Sequence, residues 1–464
     1  MESLIAPPTD SRPILFVARE PDETLRTFLP VINELQRAYA CPTAVLFHHA
    51  PGAWALGELS SRGVPFHEVH LPTGLMPSHL SARPGARAVN EVTQLWQARS
   101  LAQALVGRLR PAAVVVIQDT LLLERFMVRE ANARGLPTLV VQWAFSFPQT
   151  LYDSLRTMQY ARPATTARSL PRRLLGPLTG GLYRGTLRTL GLRFELVNSY
   201  GGGEARQFAV MGAAFRDLFA SQGVHSKQIV VTGHPTHDAV FRRAATLDAA
   251  ERAEIRASYG LPSDKTIILY ATQPVLWRKV ITRETLEANV RAMAAAVAAQ
   301  AGCLLVLKLH PREDPADYAF CAALTPPVRV LAQAEMPDLI AACDLFVSSS
   351  SSTVLLAMML DRPIITVNFD AVPHFDQFEP IGGTRHIRTH ADFAAALRSL
   401  LDDPAAEADL AGQRASVVQR YTRFDGQAAA RIAGLVAAAT GRTRELPAAV
   451  ASPVPPAPPV GGRA

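Results

Sequence analysis

Short, almost unbroken apolar runs alternate along this chain with stretches of helical period. ILFVA (14–18), TAVLFHH (43–49), AAVVVIQ (112–118) and TLVVQWA (138–144) are separated by amphipathic segments at 24–40, 53–62 and 121–134. Strands covered on both faces read as continuous apolar runs, so the pattern predicts a parallel sheet flanked by helices. FELVNS (194–199) is expected as its last strand, and the glycines at 201–203 break the chain. The alternation restarts with QIVVTG (228–233), TIILYA (266–271), CLLVLKLH (303–310), VRVLAQ (328–333), LFVSSS (345–350) and IITVNF (364–369). Helical patterns then cover 391–401, 405–421 and 426–439. The expected fold class is α/β: two doubly wound Rossmann-type domains facing across a cleft, with C-terminal helices packing back. The boundaries expected are a flexible N-terminus at 1–13, a first domain at 14–222 with a basic insertion at 162–193, a second domain at 223–425, and a C-terminal helix at 426–446. The proline-rich tail at 447–464 has no core-forming pattern and is expected to be disordered.

Length and composition narrow this picture without changing it. At 464 residues and 48% apolar side chains, the chain can bury more than one core. The four cysteines are widely spaced with no CxxC pair, which indicates neither a disulfide framework nor a zinc knuckle. The first residues lack the basic start and apolar run of a secretion signal, and no stretch reaches the ~20 apolar residues of a membrane span. A cytoplasmic location is expected, with peripheral contact at the inner face of the membrane as an option. The formal charge is +7, and a local surplus of the same size lies in Arg162, Arg168, Arg172, Arg173, Arg184, Arg188 and Arg193, with no acid between them. Leucines are mixed among these arginines. Such a segment suits an anionic membrane surface or an acidic substrate, and equally a solvated helical insertion. No basic stripe interleaved with aromatics points to nucleic acid.

Doubly wound sheets bind ligands outside the carboxyl ends of their strands, so candidate chemistry is sought there. CLLVLKLH ends in Lys308, His310 and Pro311. Proline has no N–H and ends the ladder, and the residue before it is biased to extended geometry. A neutral His310 there hydrogen-bonds a phosphate-ester or base oxygen and a protonated one offsets phosphate charge; the plain alternative is a histidine bonded to a neighbouring loop. The second candidate is the serine run of LFVSSSSSTVLLAMM, with Ser349, Ser350, Ser351, Ser352 and Thr353 opening a short helix. Ser351 or Ser352 is a natural helix N-cap, and hydroxyls beside free N–H groups form an anion site. Thr272, Gln273, Arg278 and Lys279 follow TIILYA and complete the rim. Arg312, Glu313 and Asp314 read as a solvated turn. His234, His237 and Asp238 of TGHPTHD line a hinge or cap a helix.

The His-Pro and serine motifs, separated by the helix EMPDLIAACD, resemble the donor-binding domain of GT-B-fold glycosyltransferases. The resemblance is strongest to the superfamily of bacterial sialyltransferases, capsule polysaccharide transferases and CDP-glycerol glycerophosphotransferases. It implies that His310, Pro311 and Ser349 to Thr353 contact donor nucleotide and phosphates, with Glu335 and Met336 near base and ribose. The chain is also similar to non-hydrolysing UDP-N-acetylglucosamine 2-epimerase, through AREPDETLRTFLPVINEL (18–35), VIQDT (116–120) and SQGVHSKQIVVTGHPTHDAV (221–240). It departs from that family at VVQWAFSFP, which lacks the acid and arginine, and at the serine run, which lacks paired glutamates.

The resemblance implies a transferase moving a sugar or polyol-phosphate unit from a nucleotide-activated donor, held by the second domain, to a surface-polysaccharide or lipid-linked acceptor on the first. Glu20 and Asp119, at strand ends of the first domain, are the candidate general bases, with helix capping as the plain alternative for the acids near 20. The serine loop with Lys308 and His310 would stabilise the leaving phosphate, as would Arg278 or Lys279 on the rim. No acidic pair or His/Asp cluster with ligand spacing appears, so neither metal nor cofactor is expected beyond the donor itself. The alternatives are an epimerase-like isomerase and a non-catalytic nucleotide-sugar-binding protein.

Overall fold

The computed structural model describes residues 11–19, 21–69, 84–119, 122–146, 185, 189, 204–276 and 280–444, side chains of 84–92, 373 and 374 excepted. Two wholly parallel sheets organise them. The first holds β1 (Ile14–Ala18), β2 (Thr43–Phe47), β3 (Phe66–Glu68), β4 (Ala113–Val116), β5 (Thr138–Val141), β6 (Gln207–Val210) and β7 (Ile229–Val231), in the order β3-β2-β1-β4-β5-β6-β7. The second holds β8 (Thr266–Ala271), β9 (Cys303–Lys308), β10 (Arg329–Leu331), β11 (Leu345–Ser348), β12 (Ile364–Val367) and β13 (Arg385–Ile387), in the order β10-β9-β8-β11-β12-β13. Every residue of β1, β2, β4, β5, β11 and β12 is buried, which is why these strands read as unbroken apolar runs.

Two expectations about the sheets change. QIVVTG does not open the second sheet: Ile229–Val231 pairs with Phe208–Val210 at the edge of the first, and the second sheet begins at Thr266. Its neighbour β6 follows the glycine break and is too short to stand out as a strand in sequence. The expected strand 194–199 and the basic insertion lie outside the described residues, apart from 185 and 189.

The helices fall close to the periodic segments. In chain order they are α1 (Pro21–Tyr39), α2 (Ala53–Ser61), α3 (Pro84–Leu109), α4 (Leu122–Ala133), α5 (Ala213–Ser221), α6 (His237–Thr246), α7 (Ala249–Ser258), α8 (Arg283–Ala298), α9 (Met336–Ala342), α10 (Thr353–Met359), α11 (His390–Asp402), α12 (Pro404–Tyr421) and α13 (Ala428–Ala439). The chain returns to the first domain at its end: Ile432, Ala433 and Val436 of α13 share a buried cluster with Phe28, Ile32 and Leu35 of α1. Small residues permit the crossing. A Cβ on Gly212 would lie 2.3 Å from the carbonyl carbon of Tyr421, and Gly233, at φ +85°, would bring one to 2.6 Å from the carbonyl oxygen of Arg423. Asp238 fixes the returning helix by accepting hydrogen bonds from the N–H groups of Ala428 and Ala429, at 2.9 and 2.8 Å. His237 meets the Thr422 hydroxyl at 3.0 Å, so TGHPTHD ties down the returning segment, and Asp238 caps α13 rather than its own helix.

The carboxyl ends of the two sheets face across a cleft. Arg26 of α1 forms a two-pronged ion pair with Glu335, at 3.2 and 3.0 Å, while its guanidinium lies 4.3 Å over the Trp54 ring. Phe145, beyond β5, packs against Phe378 and Tyr421 from the other side, with ring centroids 5.5 and 5.3 Å away. Among the described residues no helix is long and apolar enough to cross a membrane.

Candidate functional site

In each sheet the strand order reverses at one point, between β1 and β4 in the first and between β8 and β11 in the second. Crevices open outside the strand ends at such points. In the second sheet β8 separates the two motif-bearing strands, with Ala271 in register with Lys308 on one side and Ser348 on the other. Strands lie about 4.8 Å apart, so the His-Pro end and the serine end are separated by about 10 Å. The rim residues Thr272 and Gln273, which follow β8, stand between them.

A compact network shapes the His-Pro side. The Thr272 hydroxyl donates to the Glu313 carboxylate and accepts from the His310 N–H at 3.1 Å. Glu313 also accepts from the His310 N–H at 2.9 Å and from the Tyr318 hydroxyl at 2.7 Å. Glu313 is therefore not part of a solvated turn: it is half-buried, and burial pushes its carboxyl above the usual range against these bonds. His310 Nδ1 accepts from the Arg312 N–H at 3.1 Å, which leaves the proton of the neutral ring on Nε2. Pro311 is exposed, and Gln273 turns its amide back to the Thr272 carbonyl at 3.1 Å. Lys308 is buried, with its ammonium donating to the carbonyls of Leu309 and Ala332 at 2.6 and 3.2 Å. Desolvation lowers its pKa, opposed by Glu335 and Glu313. Its charge in this state braces the strand end.

On the serine side each residue does something different. Ser349 is buried and hydrogen-bonded to Tyr270, whose hydroxyl is pushed up to about 12 by burial. The Ser350 carbonyl accepts from the Gln377 amide at 2.6 Å. Ser351 accepts from the Thr353 N–H at 3.2 Å and so takes the capping role, whereas Ser352 is exposed and occupies the N-cap position without a side-chain cap bond. The buried hydroxyls of Ser348 and Thr353 have no partner among the described residues. Arg278 lies outside the described residues. Met336 opens α9 and packs half-buried on the core, while the exposed Glu335 is committed to Arg26.

Next to the serine run is a group the sequence did not reveal. Asp376, Glu379 and His386 bring potential ligand atoms within 4.8 Å of one another. Arg388 already pairs with Glu379, at 3.0 Å through one nitrogen, and His386 Nε2 meets Asp376 at 2.7 Å, so these charges are balanced within the protein. The residues come from a loop and a strand, and their spacing resembles no ligand motif.

The first crevice carries acids. Asp119, beyond β4, is 1% exposed; Glu20 lies outside the described residues. Two residues that sequence reasoning missed accompany Asp119. His48 follows β2, with its N–H on the Ala18 carbonyl at 3.2 Å, and Glu124 sits in the first turn of α4. The His48 Nδ1 atom is 3.8 Å from Glu124 Oε1, and both side chains are buried. Burial lowers His48 to about 3, aided by the Arg19 and His49 charges. Burial raises Glu124 to about 7, with Asp119 adding to the shift and its own backbone N–H and Arg19 opposing it.

The architecture has clear parallels among solved structures. The glycosyltransferase of kitacinnamycin superposes with a TM-score of 0.58 at 17% identity, over 92% of this chain and 99% of that one. UDP-GlcNAc 2-epimerase from Neisseria meningitidis, bound to UDP-GlcNAc, gives 0.56 at 14% identity, over 91% and 99%. The wall teichoic acid polymerase TagF gives 0.53 at 14% identity, over 93% and 90%. No curated protein matches the chain in sequence. Two doubly wound sheets facing across a cleft, with the last helix returned to the first, define a GT-B fold. Within it, residues 210–438 match the model of the CDP-Glycerol:Poly(glycerophosphate) glycerophosphotransferase family. The domain match points to a nucleotide-activated transferase, and the solved structures, the epimerase included, are relatives in fold.

Proposed function

We propose that the protein transfers a polyol-phosphate or sugar unit from a nucleotide-activated donor to a surface-polysaccharide or lipid-linked acceptor. A CDP-linked glycerol phosphate is the first donor to test, because the family match covers the second sheet in full. The observation that carries the reading is the crevice over β9, β8 and β11. Its rim offers the His310 ring and the hydroxyls and N–H groups of the serine run, with Thr272 and Gln273 beside them held in internal bonds, while the half-buried carboxylates Glu313 and Asp376 are consumed by internal hydrogen bonds. Donors of hydrogen bonds without a free negative charge suit a diphosphate. Glu335 and Met336 would reach the nucleoside once Arg26 releases Glu335, and Arg278 and Lys308 would stabilise the leaving phosphate, Lys308 after giving up its carbonyl partners.

The acceptor would enter over the first sheet, where base assistance would come from Asp119, beyond β4, or from Glu20, which follows β1 in sequence. The arginines between 162 and 193 would hold an anionic acceptor or the membrane surface that carries it. Catalysis would rest on proximity, base assistance and stabilisation of the leaving phosphate. The test is thermal unfolding of the full chain with CMP, CDP, UDP, GDP and dTDP, followed by release of CMP from CDP-glycerol in the presence of acceptor. A stabilising shift with a cytidine nucleotide is expected. No shift with any nucleotide overturns the reading, and C2 epimerisation of UDP-N-acetylglucosamine without acceptor replaces it with an isomerase.

A further inference from the structure

The buried pair at the first crevice has features that packing alone does not explain. His48 ends β2 and Glu124 opens α4, which follows β4; in the order β2-β1-β4 they meet across the end of β1, beside the point where strand order reverses. At 3.8 Å, Nδ1 and Oε1 are too far apart for a hydrogen bond. Glu124 Oε1 and His48 Nε2 are buried with no hydrogen-bond partner among the described residues. Buried polar atoms are normally satisfied, and an orphaned carboxylate oxygen beside an orphaned imidazole nitrogen at a ligand crevice is a site awaiting a polar group.

We propose that Glu124, seated against a neutral His48, is the group that takes the proton from the acceptor hydroxyl. The proposal rests on the reading that the first crevice receives the acceptor. In the step, the acceptor O–H bond breaks and its proton passes to Glu124 Oε1. The acceptor oxygen bonds to the transferred unit, and the bond from that unit to the nucleotide phosphate breaks, its electron pair leaving on the phosphate oxygen. The charged and titratable groups around the pair are Arg19, His49 and Asp119. Arg19 favours the carboxylate, Asp119 favours the acid, and desolvation of the 1%-exposed side chain exceeds both. A carboxyl whose proton affinity lies near neutrality combines a usable ionised fraction with a strong drive to take the proton. Arg19 and the desolvated imidazole keep His48 neutral, so it does not quench the carboxylate as a permanent cation would.

Two measurements on the full-length chain test this. Infrared difference spectra between pH 5 and 9 of the ligand-free protein should show a protonated-carboxyl C=O band with a midpoint near 7 that Glu124→Gln removes. With CDP-glycerol and a glycerol-phosphate oligomer, Glu124→Gln should lower kcat by roughly 100-fold or more and abolish the rise of rate through neutral pH, as loss of a general base does. Its CDP-induced thermal shift should equal that of the parent, which also shows the variant to be folded. His48→Asn should keep the CDP shift and move the midpoint of the pH profile. Transfer within a few-fold of the parent by Glu124→Gln, or no titrating band assignable to Glu124, overturns the proposal. Absence of a CDP shift in the parent protein sinks the donor reading instead, and the infrared midpoint then decides the pair alone.

Discussion

Removal of the Glu313 carboxylate is the sharpest probe of the donor rim, because three groups converge on it. Glu313→Ala removes an acceptor from the Thr272 hydroxyl, the His310 N–H and the Tyr318 hydroxyl; Thr272 falls back on the Lys308 carbonyl at 3.2 Å and the His310 N–H on the Thr272 hydroxyl at 3.1 Å, whereas the 2%-exposed Tyr318 loses its acceptor where water does not readily replace it. Three hydrogen bonds at about 1–1.5 kcal/mol each set a gross loss of about 3–4 kcal/mol. The bonds that Thr272 and His310 keep, and relief of the burial that raises the Glu313 carboxyl, offset part of this, leaving a net loss of about 2–3 kcal/mol in the local structure of the turn. Glu313→Gln behaves differently: its carbonyl accepts from Thr272 and His310 and its NH2 donates to the Tyr318 oxygen, so the expected loss is about 1 kcal/mol or less. Native-state hydrogen exchange over residues 305–315 reads the local opening directly. Glu313→Ala should speed exchange there about 30- to 100-fold and Glu313→Gln less than about 10-fold, by the same free-energy arithmetic. The CDP thermal shift should weaken in that order. Exchange in Glu313→Ala within about threefold of the parent would refute the view that this carboxylate holds the strand end.

Acid should destabilise the protein before most carboxylates titrate. His48 and His234 are lowered to about 3 and 4 by burial, and His237 is held well below its ordinary 6.5, so their contribution is full above about 6.5 and is lost as pH falls toward the folded-state values. A thermal midpoint that stays flat from pH 7 to 4.5 would contradict this. Asp238→Ala should cost about 1–2 kcal/mol by uncapping α13 at Ala428 and Ala429, read as faster hydrogen exchange in residues 428–433. Arg26→Ala should change stability by less than about 1 kcal/mol, since the pair with Glu335 is 46% and 56% exposed, yet should open the cleft, seen as a larger radius of gyration in X-ray scattering. An unchanged radius would remove the pair as a link between the two sheets.

The parts legible in the sequence share a physical cause. Parallel strands buried on both faces leave unbroken apolar runs, and Pro311 and the five serines mark chain positions by local chemistry, so the fold and the strand ends that form the candidate rim could be read directly. What failed depends on pairing between distant residues. QIVVTG has the same composition whichever sheet it joins, and only its ladder with Phe208–Val210 assigns it to the first. Glu313 looked like a solvated acid because the threonine that binds it belongs to another strand end. Glu124 and His48 carry no motif at all: one reads as an ordinary acid in the first turn of a helix and the other as one of two histidines after a strand. Their chemistry arises only when β1 brings β2 and α4 together.

The two crevices have the same topology and opposite electrostatics, which favours a different substrate for each, as proposed. The second presents hydroxyls, backbone N–H groups and an imidazole, with Glu313 internally bound and the nearby Glu379 committed to Arg388. The first brings Asp119 and Glu124 together under burial that already makes a second negative charge costly, as the rise of Glu124 shows. A donor diphosphate placed there would add charge beside two carboxyl groups with Arg19 as partial compensation. A neutral hydroxyl meets no such cost and supplies the proton that Glu124 is disposed to take. The strand ends therefore favour the proposed polarity: anionic donor over the second sheet, proton-yielding acceptor over the first.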